Sequence, residues 1–199
     1  KSGLELLFRH KSKDLLSITK EMLDRSTNVT AEIIGLFAAN FWGILTPKIL
    51  SSGRIMSKWF NFVSQTDGNM FFNHSGLTSE SRVSSSDFVK FLSRKETKEV
   101  LIPLLKERKI YGSEKKKIYN AGIRVVAKTG TMHFNRGLAG YIIKNDIPMA
   151  VFAIFSADVH KKKSIKKHQL SNPPGSKNWL GQAKSVENTI LANWAKQYI

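Results

Sequence analysis

The feature that most constrains the fold of this chain is a change in hydrophobic periodicity at Gly122. Before this residue, apolar side chains recur at helical spacing. The segments that show this spacing are 13–24, 29–42 and 55–63. After Gly122, short β-rich runs alternate with turn residues until a closing helical segment, 185–198. We therefore predict an α+β fold, with a mainly helical part, residues 13–120, and an antiparallel sheet with a terminal helix, residues 121–199.

Three β-rich runs define the predicted sheet: Ile123–Lys128, Gly137–Ile143 and Met149–Ser156. The third run is almost entirely apolar, which predicts burial on both of its faces. A partly alternating run, residues 3–9, predicts one more strand. The closing helix has its predicted apolar face at Val186, Ile190, Leu191 and Trp194.

The longest apolar run, Ile33 to Thr46, is interrupted by Asn40. A bilayer crossing needs about 20 apolar residues, so this run predicts a buried helix instead. Turn-forming residues predict a loop over 73–86. Two basic segments, 106–119 and 160–177, are predicted to be exposed.

Composition narrows the possible partners of the chain. Its 199 residues fit one domain, and 32 basic against 15 acidic residues give a net charge of +17. Such a charge attracts anionic partners without choosing among nucleic acid, lipid and acidic polymers. The absence of cysteine excludes disulfides, thiolate zinc sites and cysteine nucleophiles. The five histidines show no ligand spacing with carboxylates, so we predict no metal and no cofactor.

Two tripeptides indicate chemistry. Ser26-Thr27-Asn28 interrupts two predicted helices, and Lys128-Thr129-Gly130 ends a predicted strand about a hundred residues later. Each has a simple structural alternative. Short polar side chains such as Ser26 and Asn28 commonly cap helices, and the Lys128 tripeptide alone also fits a strand that ends in an exposed turn.

Together the two tripeptides resemble the S-x-N and K-T-G signatures of the penicillin-binding-protein and serine β-lactamase superfamily. Residues 121–131 resemble the approach to K-T-G in one branch, the S13 D-alanyl-D-alanine carboxypeptidases/endopeptidases. The segment 73–78 resembles that family's Asp-Gly-Ser-Gly-Leu-Ser loop, with Asn73 and His74 as departures. The resemblance implies one β-lactamase/transpeptidase-like domain over residues 1–199, with its N-terminal portion missing.

The resemblance also implies roles for three catalytic residues, Ser26, Asn28 and Lys128. Ser26 would pass a proton toward the leaving amine. Asn28 would hydrogen-bond the substrate backbone and the lysine of the S-x-x-K motif. Lys128 would supply a positive charge for the terminal carboxylate of the substrate. For these roles, Ser26 and Lys128 must face each other across a shared groove.

Five further residues are expected to bind substrate: Thr129, Gly130, Thr131, Ser75 and Gly76. Thr129 would hydrogen-bond the substrate carboxylate, and Gly130 would let the strand approach the substrate without a side-chain clash. The backbone N–H of Thr131 would be one of two oxyanion donors. Ser75 and Gly76 would shape the site, although an ordinary surface loop fits them equally well.

The nucleophile of the superfamily, the serine of S-x-x-K, has no suitable counterpart in this sequence. Three such strings occur, Ser17/Lys20, Ser113/Lys116 and Ser164/Lys167, and we interpret all three as accidental. The chain starts with Lys1 rather than with methionine or a signal peptide. We therefore expect the nucleophile to lie upstream of Lys1, and this chain alone to be inactive.

The function that the resemblance implies is that of a serine-type D-Ala-D-Ala carboxypeptidase/endopeptidase. Its partners would be the peptidoglycan stem peptide and β-lactams, in the periplasm or another extracytoplasmic location. The basic segments would contact an anionic membrane surface. Two alternatives remain: a non-catalytic scaffold that binds cell-wall or protein partners, and a basic nucleic-acid-binding protein. The second is less expected, because the aromatic residues fall in apolar helical runs rather than on an exposed platform.

Overall fold

A computed structural model describes residues 6–41, 48–110 and 122–198 of the chain. Within these ranges the architecture is α+β, as predicted. The described helices are α1 (Leu15–Arg25), α2 (Asn28–Phe41), α3 (Ile49–Ser64), α4 (Ser85–Ser93), α5 (Lys95–Leu101), α6 (Val159–Lys163) and α7 (Ser176–Lys196), with a short 3-10 helix at Lys167–Gln169. The strands are β1 (Glu107–Arg108), β2 (Ile123–Met132), β3 (Asn135–Lys144) and β4 (Ile147–Ala157).

The four strands form one antiparallel sheet in the order β1-β2-β3-β4. A two-residue hairpin turn joins β3 to β4, and its residues Asn145 and Asp146 have φ angles of 49° and 63°. Positive φ at both central residues is typical of a type I′ turn, whose twist matches that of the flanking strands. The turn between β2 and β3 is equally tight and has Phe134 at φ 54°.

Side chains alternate between the two faces of the sheet, so each face has its own apolar cluster. Val125 and Ala127 pack with Leu191 and Ala195 of α7 on one face. On the other face, Val126, Tyr141 and Ile143 pack with Leu92 of α4 and with Leu105, which follows α5. The sheet is therefore covered by α7 on one side and by the helical part on the other.

Aromatic residues hold the helical part together and join it to the sheet. The Phe60 ring on α3 lies 5.2 Å from the Phe71 ring and 5.2 Å from the Phe91 ring, measured between centroids. Phe88 of α4 lies 5.8 Å from Phe155 of β4. These contacts connect α3, the loop that follows it and α4 to the edge of the sheet, and aromatic pairs at such distances add to the stability gained from burial.

Two sequence predictions, the strand at residues 3–9 and the exposed segment 106–119, need correction. Residues 6–9 are exposed and form no strand, and residues 3–5 of that prediction lie outside the described residues. The segment 106–119 is not simply an exposed basic loop, because its residues 107–108 form β1 and Ile110 is buried. The segment pairs with β2, a tertiary contact that hydrophobic periodicity does not predict. Residues 111–119 lie outside the described ranges.

The burial predicted for β4 and α7 also needs correction. Met149 and Phe155 of the predicted run are 43% and 42% exposed, because β4 is an outer strand of the sheet and α4 covers only part of it. Helix α7 starts at Ser176, earlier than the predicted residue 185. Val186 and Trp194 lie outside its buried face. The buried residues of α7 are Ser176, Ala183, Glu187, Leu191, Ala192 and Ala195. Small residues let the helix lie close to the sheet.

Helix α2 is not the buried helix that its sequence predicts. Val29, Ile33, Phe37 and Phe41 follow each other at intervals of four residues and are 73%, 58%, 74% and 87% exposed. We call these four residues the α2 stripe. Only Ala39 of this helix is buried. Among the residues that the structure describes, no helix is long and apolar enough to cross a membrane.

Candidate active site

Ser26 occupies the break between α1 and α2, as predicted. It is the C-cap of α1, in the left-handed conformation with φ 56° and ψ 47°, and its backbone N–H bonds to the carbonyl of Met22. This conformation turns the chain sharply, so α2 begins two residues later, at Asn28. Both Ser26 and Asn28 are exposed. The break therefore presents polar side chains at the end of one helix and the start of the next.

Lys128 of β2 reaches this break. Its ammonium donates a hydrogen bond to the hydroxyl of Ser26, and a second one to the carbonyl of Thr129 at 3.0 Å. The contact follows from the alternation of β2, because Lys128 lies on the same face as Val126, which packs toward the helical part. The structure therefore brings together the Ser26 and Lys128 motifs that the sequence analysis paired.

The sequence predicts that the Lys-Thr-Gly tripeptide ends a strand. In the structure, the tripeptide instead lies inside β2. Strand β2 continues to Met132 because the two-residue turn that follows lets Gly130 pair with Gly137 and Thr131 pair with Arg136. A Cβ atom at Gly130 would meet no other atom within 4 Å, so the space over the strand is open there. A substrate approaching this point meets backbone rather than a side chain.

In the part of the chain that the structure describes, no strand pairs with the outer edge of β2 beside the motif, and we call this stretch the open edge. β1 pairs only with Val125 and Val126, and the next backbone bond on this side joins the N–H of Ala127 to the carbonyl of Lys106 at 3.0 Å. Thr129 and Thr131 lie beyond the end of β1. Such an edge is suited to hydrogen bonding with an extended peptide.

Two arginines that the sequence analysis did not single out hold the threonine hydroxyls. Arg108 of β1 donates to the carbonyl of Ala127 at 3.2 Å and to the hydroxyl of Thr129 at 3.4 Å. Arg136 of β3 donates to the hydroxyl of Thr131 at 2.7 Å. A signal for Arg136 exists in the sequence, because a tight turn after Met132 places it opposite Thr131. Arg108 has no comparable signal, since the pairing of β1 is a tertiary contact.

The charge of Arg136 is balanced by Glu187 of α7. The guanidinium donates to both carboxylate oxygens, at 2.9 Å and 2.8 Å, and both side chains are 10% exposed. A two-pronged pair of this kind fixes the orientation of both groups as well as their distance. It therefore ties the site strand, through Arg136 and Thr131, to the terminal helix.

The surroundings of Lys128 favour its neutral form more than water does. Burial lowers the pKa of Lys128, and the positive charges of Arg108 and Arg136 lower it further, while Asp24 opposes them. Burial also lowers the pKa of Arg108. Removing charges from water and placing like charges together both disfavour the ionised form. An anionic ligand at this position would relieve the repulsion among the three cations.

The loop that carries Ser75 and Gly76 is held by α2. The carboxylate of Glu32 accepts the backbone N–H groups of His74 and Ser75, both at 3.0 Å. Asn73 accepts the N–H of Gly76 at 3.1 Å through its side-chain oxygen, and Gly76 has φ +75°. The hydrogen bonds described for Ser75 and Gly76 are made within the loop and to α2. The structure thus does not join these two residues to Lys128.

The departure from the family pattern at His74 has a structural reason. The imidazole packs against Gly35 of α2, where any Cβ atom would collide with the ring. Its Nε2 atom lies 2.7 Å from the hydroxyl of Ser52 on α3, a side chain with no solvent exposure. Burial lowers the pKa of His74 against the opposing charge of Glu32. His74 therefore acts as a packed link between α2 and α3.

The described S-x-x-K strings have other partners. The Ser17 hydroxyl donates to Asp14 at 2.7 Å at the start of α1, and Lys20 donates to the carbonyl of Pro103 at 3.1 Å. The hydroxyl of Ser164 bonds to the carbonyl of Lys161 at 2.9 Å. The third string, Ser113/Lys116, lies outside the described residues. These hydrogen bonds do not join Ser17, Lys20 or Ser164 to Ser26 or Lys128.

A cavity of about 440 Å³ lies elsewhere, between α4, β4 and the end of α7, and Val89, Phe152 and Trp194 are among its lining residues. None of the predicted site residues lines it. In residues 6–41, 48–110 and 122–198, no three histidine, aspartate or glutamate side chains come together in a way that could hold a metal ion. The candidate site of this chain consists of Ser26, Lys128 and their neighbours.

A Ser-x-Asn break held against a Lys-Thr-Gly strand is the arrangement of the penicillin-binding class of serine acyl-transfer enzymes. Comparison with protein families agrees with this geometry. The model of the D-Ala-D-Ala carboxypeptidase 3 (S13) family matches residues 1–171, and the chain belongs to this family. Among curated proteins, none matches the chain.

Proposed function

We propose that this chain forms part of a serine-type D-Ala-D-Ala carboxypeptidase/endopeptidase that acts on peptidoglycan stem peptides outside the cytoplasmic membrane. The observation that carries the proposal is the hydrogen bond between Lys128 and Ser26. It joins two motifs that are far apart in sequence, and the local structure of each motif forms without the other. Family membership supports the same chemistry.

In the proposed mechanism, the open edge of β2 receives the end of the stem peptide. Lys128 and the hydroxyl of Thr129 hold its terminal carboxylate, and Gly130 leaves room for it. The backbone N–H of Thr131 stabilises the oxyanion that forms when a serine attacks the peptide carbonyl. As the peptide C–N bond breaks, Ser26 passes the proton lost by the attacking serine to the leaving amine, while Asn28 holds the substrate backbone. Water then releases the acyl group from the serine. Ser75 and Gly76 shape the site from the neighbouring loop.

We further propose that the attacking serine is carried by a helix outside these 199 residues, and that this helix belongs to the same transpeptidase-like domain. The α2 stripe supports this, because it starts at Val29, directly after Asn28, and exposes large apolar side chains that a soluble protein normally covers. A helix with an apolar face and a Ser-x-x-Lys sequence would cover the stripe and bring its serine beside Ser26.

Labelling with a fluorescent penicillin tests the proposal. The intact protein is expected to form a covalent adduct, and mass spectrometry is expected to locate it on a serine outside residues 1–199. The 199-residue chain alone is expected to remain unlabelled. Efficient labelling of the chain alone would show that the nucleophile is misplaced. No labelling of an intact protein that has an S-x-x-K helix would contradict the peptidase assignment.

The two alternatives give different results in the same study. A non-catalytic scaffold would lack the S-x-x-K helix and remain unlabelled, yet still bind stem peptide or a protein partner. A nucleic-acid-binding protein would be retained on DNA at physiological ionic strength with a steep dependence on salt. Weak retention without sequence preference would reflect only the net charge of +17.

A further inference from the structure

A cationic surface lies next to the hairpin that follows the Lys-Thr-Gly motif. It consists of α6, the 3-10 helix and the residues between and just after them, 159–170, and we call it the basic patch. Residues 159–177 contain no aspartate or glutamate. Lys161, Lys163, Lys166 and Lys167 are exposed, and so are both histidines of the patch. Asp158, just before the patch, pairs with Lys161 at 3.2 Å.

Exposed apolar side chains lie among these charges. Val159 is 53% exposed and Leu170 is 60% exposed. A surface that combines lysines with exposed aliphatic groups is suited to the boundary of a bilayer, where cations meet lipid phosphates and aliphatic groups enter the acyl region. The patch contains no phenylalanine, tyrosine or tryptophan, which nucleic-acid-binding surfaces use to stack bases. The combination favours lipid over nucleic acid.

The patch has a fixed position relative to β2. The N–H of Asp158 bonds to the carbonyl of Phe134 in the β2–β3 turn at 2.9 Å. The ammonium of Lys162 lies 4.0 Å from the sulfur of Met132, the last residue of β2. Burial lowers the pKa of Lys162, and the positive charge of Arg82 lowers it further.

We propose that the basic patch docks the protein on an anionic phospholipid surface. Docking there places the turn at the end of β2, and with it the open edge of the candidate active site, close to the membrane. The proposal does not depend on the peptidase chemistry, because it rests on the charge, exposure and position of residues 159–170.

Sedimentation of the intact protein with lipid vesicles tests the proposal. The vesicles consist of phosphatidylcholine alone or of three parts phosphatidylcholine to one part phosphatidylglycerol, and only the second kind is expected to bind. The triple substitution Lys163→Gln, Lys166→Gln and Lys167→Gln is expected to lower binding by about 10²-fold, since each lysine near an anionic surface contributes roughly five-fold. The matched control is Lys11→Gln, Lys58→Gln and Lys184→Gln, which removes the same charge from exposed positions on other parts of the chain.

The control triple is expected to lower binding only a few-fold. Leu170→Ser, which changes no charge, is expected to weaken vesicle binding without changing retention on DNA. Equal losses in both triples would overturn the proposal, because general charge attraction would then explain the binding. Tighter binding to DNA than to the anionic vesicles would overturn it too. Penicillin labelling of the same variants keeps this result separate from the proposed function, since the patch variants should retain it.

Discussion

The ammonium of Lys128 donates a hydrogen bond to the hydroxyl of Ser26, which lies 102 residues earlier in the chain. Ser26 is itself the left-handed residue that ends α1, and Lys128 is positioned by the alternation of side chains along β2. Neither local structure depends on the other. Their meeting therefore follows from the packing of the helical part on the sheet, through residues such as Val126 and Leu92.

Removing either side of this contact should abolish most of the chemistry. We expect Ser26→Ala to lower the rate of penicillin acylation of the intact protein by about 10²–10⁴-fold, the usual contribution of a positioned proton-transfer group. Lys128→Ala should also lower this rate, because the carboxylate of the penicillin would lose its positive partner. Stopped-flow measurement of the acylation rate checks this. The matched control is Thr27→Ala, an exposed residue inside the same break. If Thr27→Ala proves as damaging as Ser26→Ala, the break has a structural role only.

The sequence predicted those parts of the molecule in which local pattern and tertiary packing agree. The breaks and turns at Ser26 and at Asn145-Asp146 were predictable because specific residue types favour their backbone conformations. The pairing of Ser26 with Lys128 followed from the resemblance of two motifs. Periodicity also located the β-rich half of the chain, since alternation along a strand is a local property.

The parts that could not be predicted depend on which surface covers an apolar residue. The apolar runs in α2 and β4 both predict burial, but Phe37 is 74% exposed and Met149 is 43% exposed in the structure. The role of Arg108 depends on the two-residue strand β1, which is too short to leave a pattern. Glu187 lies in the middle of an amphipathic helix and is buried only because Arg136 arrives from the sheet.

Loss of one partner from the buried pair of Arg136 and Glu187 should lower the free energy of unfolding far more than loss of one partner from an exposed pair. We expect Glu187→Ala to lower the free energy of unfolding by about 3–5 kcal/mol, because it leaves a guanidinium buried without a counter-charge. Urea denaturation followed by circular dichroism measures the change. Glu99→Ala, which removes an exposed partner 3.9 Å from Lys95, should cost less than about 1 kcal/mol. Similar losses in the two variants would mean that the pair is not buried in solution.

Gly35 and His74 should show coupled effects on stability. Gly35→Ala places a Cβ atom in collision with the imidazole ring, and overpacking of this kind costs about 1–3 kcal/mol. His74→Gly removes the ring, so the alanine should cost much less when both substitutions are present. A double-mutant cycle of unfolding free energies measures this coupling. Additive effects would show that the ring does not pack on Gly35.

The positive charge of Arg108 should have a measurable effect on the pKa of Lys128. Arg108→Gln removes one of the two positive charges that lower the pKa of Lys128, so that pKa should rise toward the ordinary value of 10.5. NMR titration of lysines labelled at the ε-carbon follows the change directly. Arg124→Gln is the control, because Arg124 pairs with Asp146 at the other end of β2. An unchanged pKa in Arg108→Gln would contradict the cation cluster.

Glu32 should make part of the stability depend on pH in the acid range. Burial alone would raise the pKa of Glu32, but hydrogen bonds from Ser75 and from the backbone N–H groups of His74 and Ser75 lower it below the ordinary value of 4.5. The unfolded chain therefore binds a proton at this group more readily than the folded one. Its contribution to stability is present above about pH 4.5 and is lost as the pH falls through the lower, folded-state pKa.

The variant Glu32→Gln isolates this contribution, because glutamine keeps one acceptor oxygen but does not titrate. We expect its unfolding free energy to fall less steeply between about pH 5 and about pH 3 than that of the unaltered protein. At neutral pH the variant should already be less stable, since a neutral amide accepts the two N–H bonds more weakly than a carboxylate does. Glu80→Gln is the control on the exposed part of the same loop. Parallel pH profiles for the unaltered protein and Glu32→Gln would show that Glu32 does not anchor the loop that carries His74 and Ser75.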